Sequence, residues 1–145
     1  MAEPQAPELI VETEPDPESI RFLEDRLYEF NVGATGIGDG KLFGLFLRGS
    51  GGAVIGGAYG WSWGGTCYLH YLFVPAEMRR RGEGTRLLQA VEKEARTRRC
   101  HQIVVGTFDF QAPDFYRKFG FEVAGAVEGY PRGHQLFSMV KPLDK

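Results

Sequence analysis

The sequence predicts an α+β domain built around a mixed β-sheet, and three observations support this fold class. The chain has 145 residues, which suits one domain of ordinary size. Segments with strand and helix periodicity follow one another in the order β-α-β-β-β-α-β-α-β-β. Three consecutive strands followed by a helical crossover predict a mixed sheet with helices packed on it. We place one domain at residues 8–145, after a flexible N-terminal segment at residues 1–7.

The composition excludes several classes of protein. A hydrophobic share of 43% supports a packed core, and a net charge of −2 argues against a surface that coats nucleic acid. No apolar run reaches the roughly 18 residues of a membrane-spanning helix. The acidic residues after Met1 differ from a signal peptide, and two cysteines make neither a disulfide framework nor a zinc site. We therefore expect a cytoplasmic protein without a metal.

Glycine is the unusual component of this composition. The chain has 20 glycines, and 13 of them lie between Gly33 and Gly65. Because they follow no G-X-Y period, they indicate tight turns or a close approach of the backbone to another group.

The first half of the chain begins with a predicted strand at residues 8–13. A helix follows from Asp16 or Ser19, with apolar residues on one face as far as Phe30. Asn31 to Asp39 is expected to be a Gly-rich connection. Three strands are then predicted, at Lys41–Arg48, Ala53–Trp63 and Cys67–Val74. In the second of these strands, one face would be nearly bare, since it carries Gly56, Ala58 and Gly60.

The second half contains two predicted helices and three predicted strands. The helices lie at about Thr85–Arg98 and Pro113–Phe119, the second stopped by Gly120. The strands are predicted at Ile103–Thr107, Phe121–Val127 and Gln135–Val140.

The strongest local signal for ligand binding is the segment at residues 79–85, between a strand end and a helix start. Free N–H groups at a helix N-terminus bind anions, and Gly82 and Gly84 carry no side chain that would block them. A P-loop would need Gly-Lys-Ser/Thr, which is absent. A dinucleotide fingerprint would need glycine where Leu87 stands. The segment alone is therefore weak evidence.

A second motif gives this segment a context. Leu72-Phe73-Val74-Pro75 followed by Arg79-x-x-Gly82-x-Gly84 resembles the acyl-CoA-binding core of the GNAT N-acetyltransferases. Downstream, the sequence from Ala112 through Tyr116 to Gly120-Phe121 resembles the A-x-x-x-Y-x-x-x-G-F element of that family. Together the resemblance covers roughly residues 8–143.

The resemblance implies a mostly antiparallel sheet of six to seven strands with helices on both faces. It implies a V-shaped splay between the strands at residues 67–74 and 103–107, and acetyl-CoA as cofactor. The backbone of Leu72, Phe73 and Val74 would pair with the pantetheine arm. The pyrophosphate would lie on amides of Arg80, Arg81, Gly82, Glu83, Gly84 and Thr85. Which of Arg79, Arg80 and Arg81 reaches the outer phosphates stays open.

The resemblance also assigns catalytic roles. Tyr116 matches the tyrosine that protonates the departing CoA thiolate, a task that suits a neutral phenol. Without the motif, packing between Phe115 and Phe119 would explain it. Asp109 stands where many relatives carry an asparagine that binds pantetheine, which makes it a candidate for cofactor binding.

His70 is the candidate base, since an ammonium acceptor must lose a proton before it attacks. Tyr68 shares its strand face and would complete a water chain. A half-buried packing role for His70 is an equal alternative. By the same resemblance Asn31, Tyr130 and His134 would line the acceptor pocket, although turn chemistry also explains the segment around His134.

We therefore expect an acetyl-CoA-dependent N-acetyltransferase that acts on a primary amine by direct attack in a ternary complex. Neither Cys67 nor Cys100 is paired with a histidine by any motif, so an acyl-enzyme route is not favoured. The alternative is a non-catalytic CoA-binding module or sensor with the same fold. The expected partner is an amine substrate, small or peptidic, with no nucleic acid and no membrane. Whether two copies form a homodimer stays open. The acceptor stays open.

Overall fold

The computed structural model describes residues 5–143, and that range contains three α-helices and six β-strands. The helices are α1 (Pro17–Thr35), α2 (Glu83–Thr97) and α3 (Pro113–Lys118). The strands are β1 (Lys41–Arg48), β2 (Val54–Trp63), β3 (Thr66–Phe73), β4 (Gln102–Phe108), β5 (Glu122–Glu128) and β6 (Gln135–Pro142). Among the described residues, no helix combines the length and apolar character needed to cross a membrane. The contacts divide the chain into two compact units, one ending at Ile37 and one beginning at Gly38.

The N-terminal unit differs from the sequence prediction in two ways. The strand predicted at residues 8–13 does not form, because no neighbouring strand pairs with these exposed residues. The connection predicted to begin at Asn31 is helical, and α1 continues to Thr35 before a left-handed cap at Gly36. A single internal glycine lowers helix stability by only about 1 kcal/mol, so Gly33 does not end the helix. The start is as predicted, since the Glu18 N–H donates to Asp16 Oδ1 at 3.1 Å.

The C-terminal unit is a six-stranded sheet in the order β1-β2-β3-β4-β6-β5. Only β3 and β4 are parallel among these neighbours, and the other four pairs are antiparallel. The predicted mixed, mostly antiparallel sheet is confirmed, with six strands. The parallel pair is joined by α2, the helical crossover that the element order predicts.

One face of this sheet carries the hydrophobic core. The fully buried side chains include Leu69, Ile103 and Met139 from the sheet and Val91 from α2. Tyr116 of α3 belongs to the same cluster. Helices α2 and α3 therefore contribute to the core on the same face, and the predicted cover of the second face stays a prediction.

The face of β2 that the sequence leaves nearly bare lies on this core side. Ala58 is 2% exposed, and a Cβ on Gly60 would lie 2.9 Å from the Phe43 ring. A Cβ on Gly56 would lie 2.7 Å from the carbonyl oxygen of Phe73. The missing side chains are thus replaced by close packing from the neighbouring strands.

Candidate active site

The two parallel strands separate at the centre of the sheet. Residues 66–69 of β3 pair with residues 102–105 of β4, and their pairing ends at Leu69 and Val105. Both strands continue, β3 to Phe73 and β4 to Phe108, while β4 remains paired with β6 throughout. The outer half of β3 therefore has no strand partner on its β4 side. This confirms the predicted V-shaped splay.

A β-bulge in β3 lies at the point of separation. Gly60 of β2 faces Leu69, and the next residue, Tyr59, faces Tyr71, so His70 is an extra residue in β3. A bulge bends its strand and increases the local twist. A Cβ on Gly60 would collide with the carbonyl oxygen of Tyr68. Glycine at position 60 therefore makes room for the bulge that bends β3 away from β4.

The splay opens a cleft of about 690 Å³, within the range of small-molecule sites. Seven of the predicted site residues line it: His70, Leu72, Phe73, Val74, Arg79, Gly84 and Tyr116. The others on the wall were not predicted as site residues: Tyr71, Val105, Gly106, Thr107, Phe110, Gln111, Ala112 and Phe115. Val105, Gly106, Thr107, Phe110 and Gln111 lie at or beyond the point where β4 leaves β3, and the motifs gave no signal for them. Ala112 and Phe115 lie within the A-x-x-x-Y element, which did not assign them a role.

The start of α2 forms one end of the cleft. Gly82 is the N-cap with φ 81° and ψ 8°, a left-handed conformation that favours glycine, and no side chain caps the helix. The first amides of α2 are therefore free for an anion. Gly84 lines the cleft, and a Cβ there would lie 3.5 Å from the Phe115 ring.

The three arginines before this helix differ in how they are held. Arg79 Nε donates to the carbonyl oxygen of Val74 at 3.0 Å, and its guanidinium lies 5.9 Å from the centre of the Phe73 ring. Arg79 therefore ties the loop to the end of β3. Arg80 and Arg81 are exposed, and Thr85 is partly buried. Glu83, at the first position of α2, pairs with Arg86 at 3.2 Å.

Tyr116 is both a core residue and a wall of the cleft. It is 5% exposed, and its ring meets Phe115 and Phe121 edge to face at 5.3 and 5.4 Å. Burial raises the pKa of Tyr116 to about 12. No fully buried side-chain oxygen or nitrogen in the described range lacks a hydrogen bond. Tyr116 can therefore serve both as a packed core residue and as a proton donor, because its ring is buried while the residue also borders the cleft.

His70 lies on the cleft wall within an aromatic cluster. Its ring centre is 4.1 Å from that of Tyr71 and 5.2 Å from that of Trp61. Tyr68 lies 5.9 Å from His70 and stacks on Trp61 at 5.0 Å. The structure thus brings Tyr68 and His70 to one face, as predicted, although Tyr68 itself does not line the cleft.

The remaining predicted residues lie elsewhere. Asp109 is outside the cleft lining, and its carboxylate Oδ1 is 2.9 Å from Nδ1 of His134. Tyr130 contacts Phe108 edge to face at 5.1 Å. Asn31 lies inside α1 in the N-terminal unit, where its carbonyl accepts a hydrogen bond from Thr35. The roles predicted for these residues in cofactor or acceptor binding stay predictions.

The two cysteines are free and buried. Burial, as the largest effect, raises the pKa of Cys67 to about 12 and raises that of Cys100 as well. Both thiols are therefore protonated near neutral pH, and a thiolate nucleophile is not formed by either residue.

Comparison with known proteins gives consistent results. A model of the acetyltransferase (GNAT) family matches residues 5–121. The acetyltransferase Atu2258 of Agrobacterium fabrum is 30% identical over 121 residues, 83% of this chain and 88% of that protein. A blasticidin-S acetyltransferase of Streptomyces morookaense is 34% identical over 107 residues, 71% of this chain and 76% of that protein. The crystal structure of an acetyltransferase from Agrobacterium tumefaciens superposes with a TM-score of 0.82 at 27% identity, covering 94% of this chain and 99% of that one.

Proposed function

The chain belongs to the GNAT acetyltransferase family, and we propose that it transfers an acetyl group to a primary amine by direct attack in a ternary complex. The observation that carries this proposal is the cleft between β3 and β4, which has Tyr116 on one wall and His70 on another. Transfer of the acetyl group from a thioester requires a proton acceptor for the ammonium group and a proton donor for the leaving sulfur atom. Both are present in this cleft.

The residues of the cleft fit acetyl-CoA, the cofactor of this family. The unpaired edge at Leu72, Phe73 and Val74 offers backbone groups to the amides of the pantetheine arm. The uncapped start of α2 at Gly82 offers free amides to the pyrophosphate. Arg80 and Arg81 are exposed beside it and are free to reach the outer phosphates, while Arg79 is anchored by its bond to the end of β3. Acetyl-CoA supplies the activated acetyl group as a thioester.

Tyr116 would act as the general acid. A phenol with a pKa of about 12 keeps its proton at neutral pH, so Tyr116 is present as the donor. Its ring is held by Phe115 and Phe121, which limits its motion and fixes the direction of the hydroxyl. The proton would go from Tyr116 Oη to the leaving sulfur atom.

His70 would accept the proton that the acceptor ammonium loses. It occupies the bulge of β3 and borders the same cleft as Tyr116. Tyr68 lies on the same face and would pass the proton through water. Because both cysteine thiols are buried and protonated, no acyl-enzyme step is part of this proposal.

The test is turnover of acetyl-CoA against a panel of primary amines, followed as free thiol release and as acetylated product by mass spectrometry. The panel includes small monoamines, diamines, peptides with free N-termini and blasticidin S, since one relative is named for that substrate. We expect product with at least one class. If acetyl-CoA binds and no amine is acetylated, the chain is instead a CoA-binding module, and the proposed function is wrong.

A further inference from the structure

A cluster of polar and aromatic side chains lies beside the cleft and has no part in the mechanism above. It joins the end of β4 to the connection between β5 and β6. Nδ1 of His134 donates a hydrogen bond to the carboxylate of Asp109, with 2.9 Å between Nδ1 and Oδ1. Asp109 is fixed by its N–H, which donates to the carbonyl oxygen of Gln135 at 3.0 Å. The His134 ring meets Phe110 edge to face at 5.0 Å, and Phe110 lines the cleft.

The charge of Asp109 is not balanced by a permanent cation. Among residues 5–143, the ion pair recorded for this carboxylate is with His134. Asp114, the nearest acid along the chain, differs because Arg117 neutralises it at 2.8 Å. A neutral His134 donates from Nδ1 and leaves the negative charge of Asp109 in place. The side chain of Asp109 is 29% exposed, so this charge is accessible to a ligand.

Aromatic rings pack against one another and against the His134 ring that pairs with this carboxylate. Phe108 and Phe110 stack at 5.4 Å with an angle of 8° between the rings, and Tyr130 packs edge-on against Phe108 at 5.1 Å. Phe110 and Tyr130 remain 57% and 54% exposed. Open aromatic rings next to a carboxylate are a combination that binds organic cations, through the ring quadrupole and through direct charge attraction.

We propose that Asp109, held by His134 beside the ring cluster of Phe108, Phe110 and Tyr130, binds a second positive charge of the acceptor, so that the enzyme selects diamines or guanidino-amines over monoamines. This inference rests on the proposed acetyl transfer to an amine. Phe110 belongs both to the cleft wall and to this cluster. The reacting amine would therefore lie in the cleft and the distal cation beside Asp109.

The kinetic test compares a diamine with a monoamine of the same chain length. We expect wild-type kcat/KM to favour the diamine by about tenfold, as for a cation held by a carboxylate and aromatic rings. In Asp109→Asn this ratio should fall to about one, mainly through a higher KM for the diamine. Asp114→Asn is the matched control, since it removes a nearby carboxylate that Arg117 already neutralises. The control should keep the ratio.

A second measurement tests the site without catalysis. The imidazole resonances of His134 are followed by NMR while 1,4-diaminobutane is added in the absence of acetyl-CoA. We expect a saturable shift in the wild type and none in Asp109→Asn, with n-butylamine giving a much weaker response. If no amine is acetylated but this shift is present, the proposed function fails and the cation site stands. Absence of the shift, or equal kcat/KM for both amines, overturns the site.

Discussion

The two halves of the β3–β4 pair carry out different tasks although they belong to the same two strands. The inner half, residues 66–69 and 102–105, is hydrogen-bonded in register, and Leu69 and Ile103 are completely buried. The outer half of β3 is unpaired on its β4 side, and Tyr71 and Phe73 are 63% and 55% exposed. The inner half thus supplies stability and the outer half supplies the walls of a cleft.

The boundary between these halves is the bulge at His70. Residues of β3 before the bulge belong to the core, and residues after it line the cleft. Substitutions in the inner half should therefore lower mainly the stability, and substitutions around the outer half should lower mainly the activity. Four changes test this separation.

The largest effect is expected for Tyr116→Phe, which changes a residue of α3 on the wall of the cleft that the outer half of β3 also lines. Loss of the proton donor should lower kcat by about 10²- to 10⁴-fold. Because the ring and its contacts with Phe115 and Phe121 remain, the melting temperature should change little. Thiol release and thermal unfolding measure the two quantities. A variant with wild-type turnover would remove Tyr116 from the mechanism.

Ile103→Ala, in the paired half, should show the opposite behaviour. Ile103 is 0% exposed, and truncating a fully buried isoleucine lowers the free energy of unfolding by about 2–5 kcal/mol. The kcat of the folded fraction should stay within about threefold of wild type. Urea unfolding gives the stability, and Val104→Ala on the opposite face, where the side chain is partly exposed, is the smaller-effect control. A large fall in kcat without loss of stability would contradict the assignment of the inner half to stability.

His70→Gln tests the bulge itself. Removing the base should lower kcat/KM by about 10²-fold near neutral pH and remove the rise in rate on the acidic side of the pH profile. The pH–rate profile is the measurement, with His101→Gln as control, since His101 is exposed at the start of β4 outside the cleft. If the acidic limb is the same in His70→Gln as in wild type, another group is the base.

The smallest effect is expected for Gly82→Ala. A Cβ at this position meets no atom within 4 Å, so the penalty comes from the left-handed φ of 81°. That strain costs about 1–2 kcal/mol, and if it loosens the start of α2 the KM for acetyl-CoA should rise about fivefold.

Gly51→Ala in the turn between β1 and β2 is the matched control for this change. Its φ of 84° and open surroundings impose the same strain, so stability should fall equally while the KM stays the same. Equal KM values for acetyl-CoA in both variants would mean that Gly82 has no role in cofactor binding.

Much of the fold could be predicted from local patterns. The strand at Lys41–Arg48 was predicted with its observed bounds, and most other elements of the C-terminal unit within one or two residues. Periodicity succeeds there because five of the six strands place buried side chains against the core, and only β5 is exposed along its whole length. It failed at residues 8–13, where a short apolar run has no neighbouring strand to pair with. It also ended α1 too early, because one glycine and one asparagine do not outweigh the propensity of the rest.

The site was predicted in the same uneven way. The motifs identified Tyr116, Arg79 and Gly84, which do line the cleft, because each has a fixed spacing along the chain. They gave no indication of Phe110 or of the pairing between Asp109 and His134, which are separated by 25 residues. That pair depends on β4 and β6 lying side by side, and no local pattern encodes it.

By itself, the sequence determined the order of the elements from α1 onward, the position of the glycines at the start of α2 and the family to which the chain belongs, because these are local properties of spacing and residue type. The tertiary structure decided where β3 leaves β4, which side of β2 is packed and which groups surround Asp109. These depend on strand register, and a bulge of one residue changes every contact beyond it.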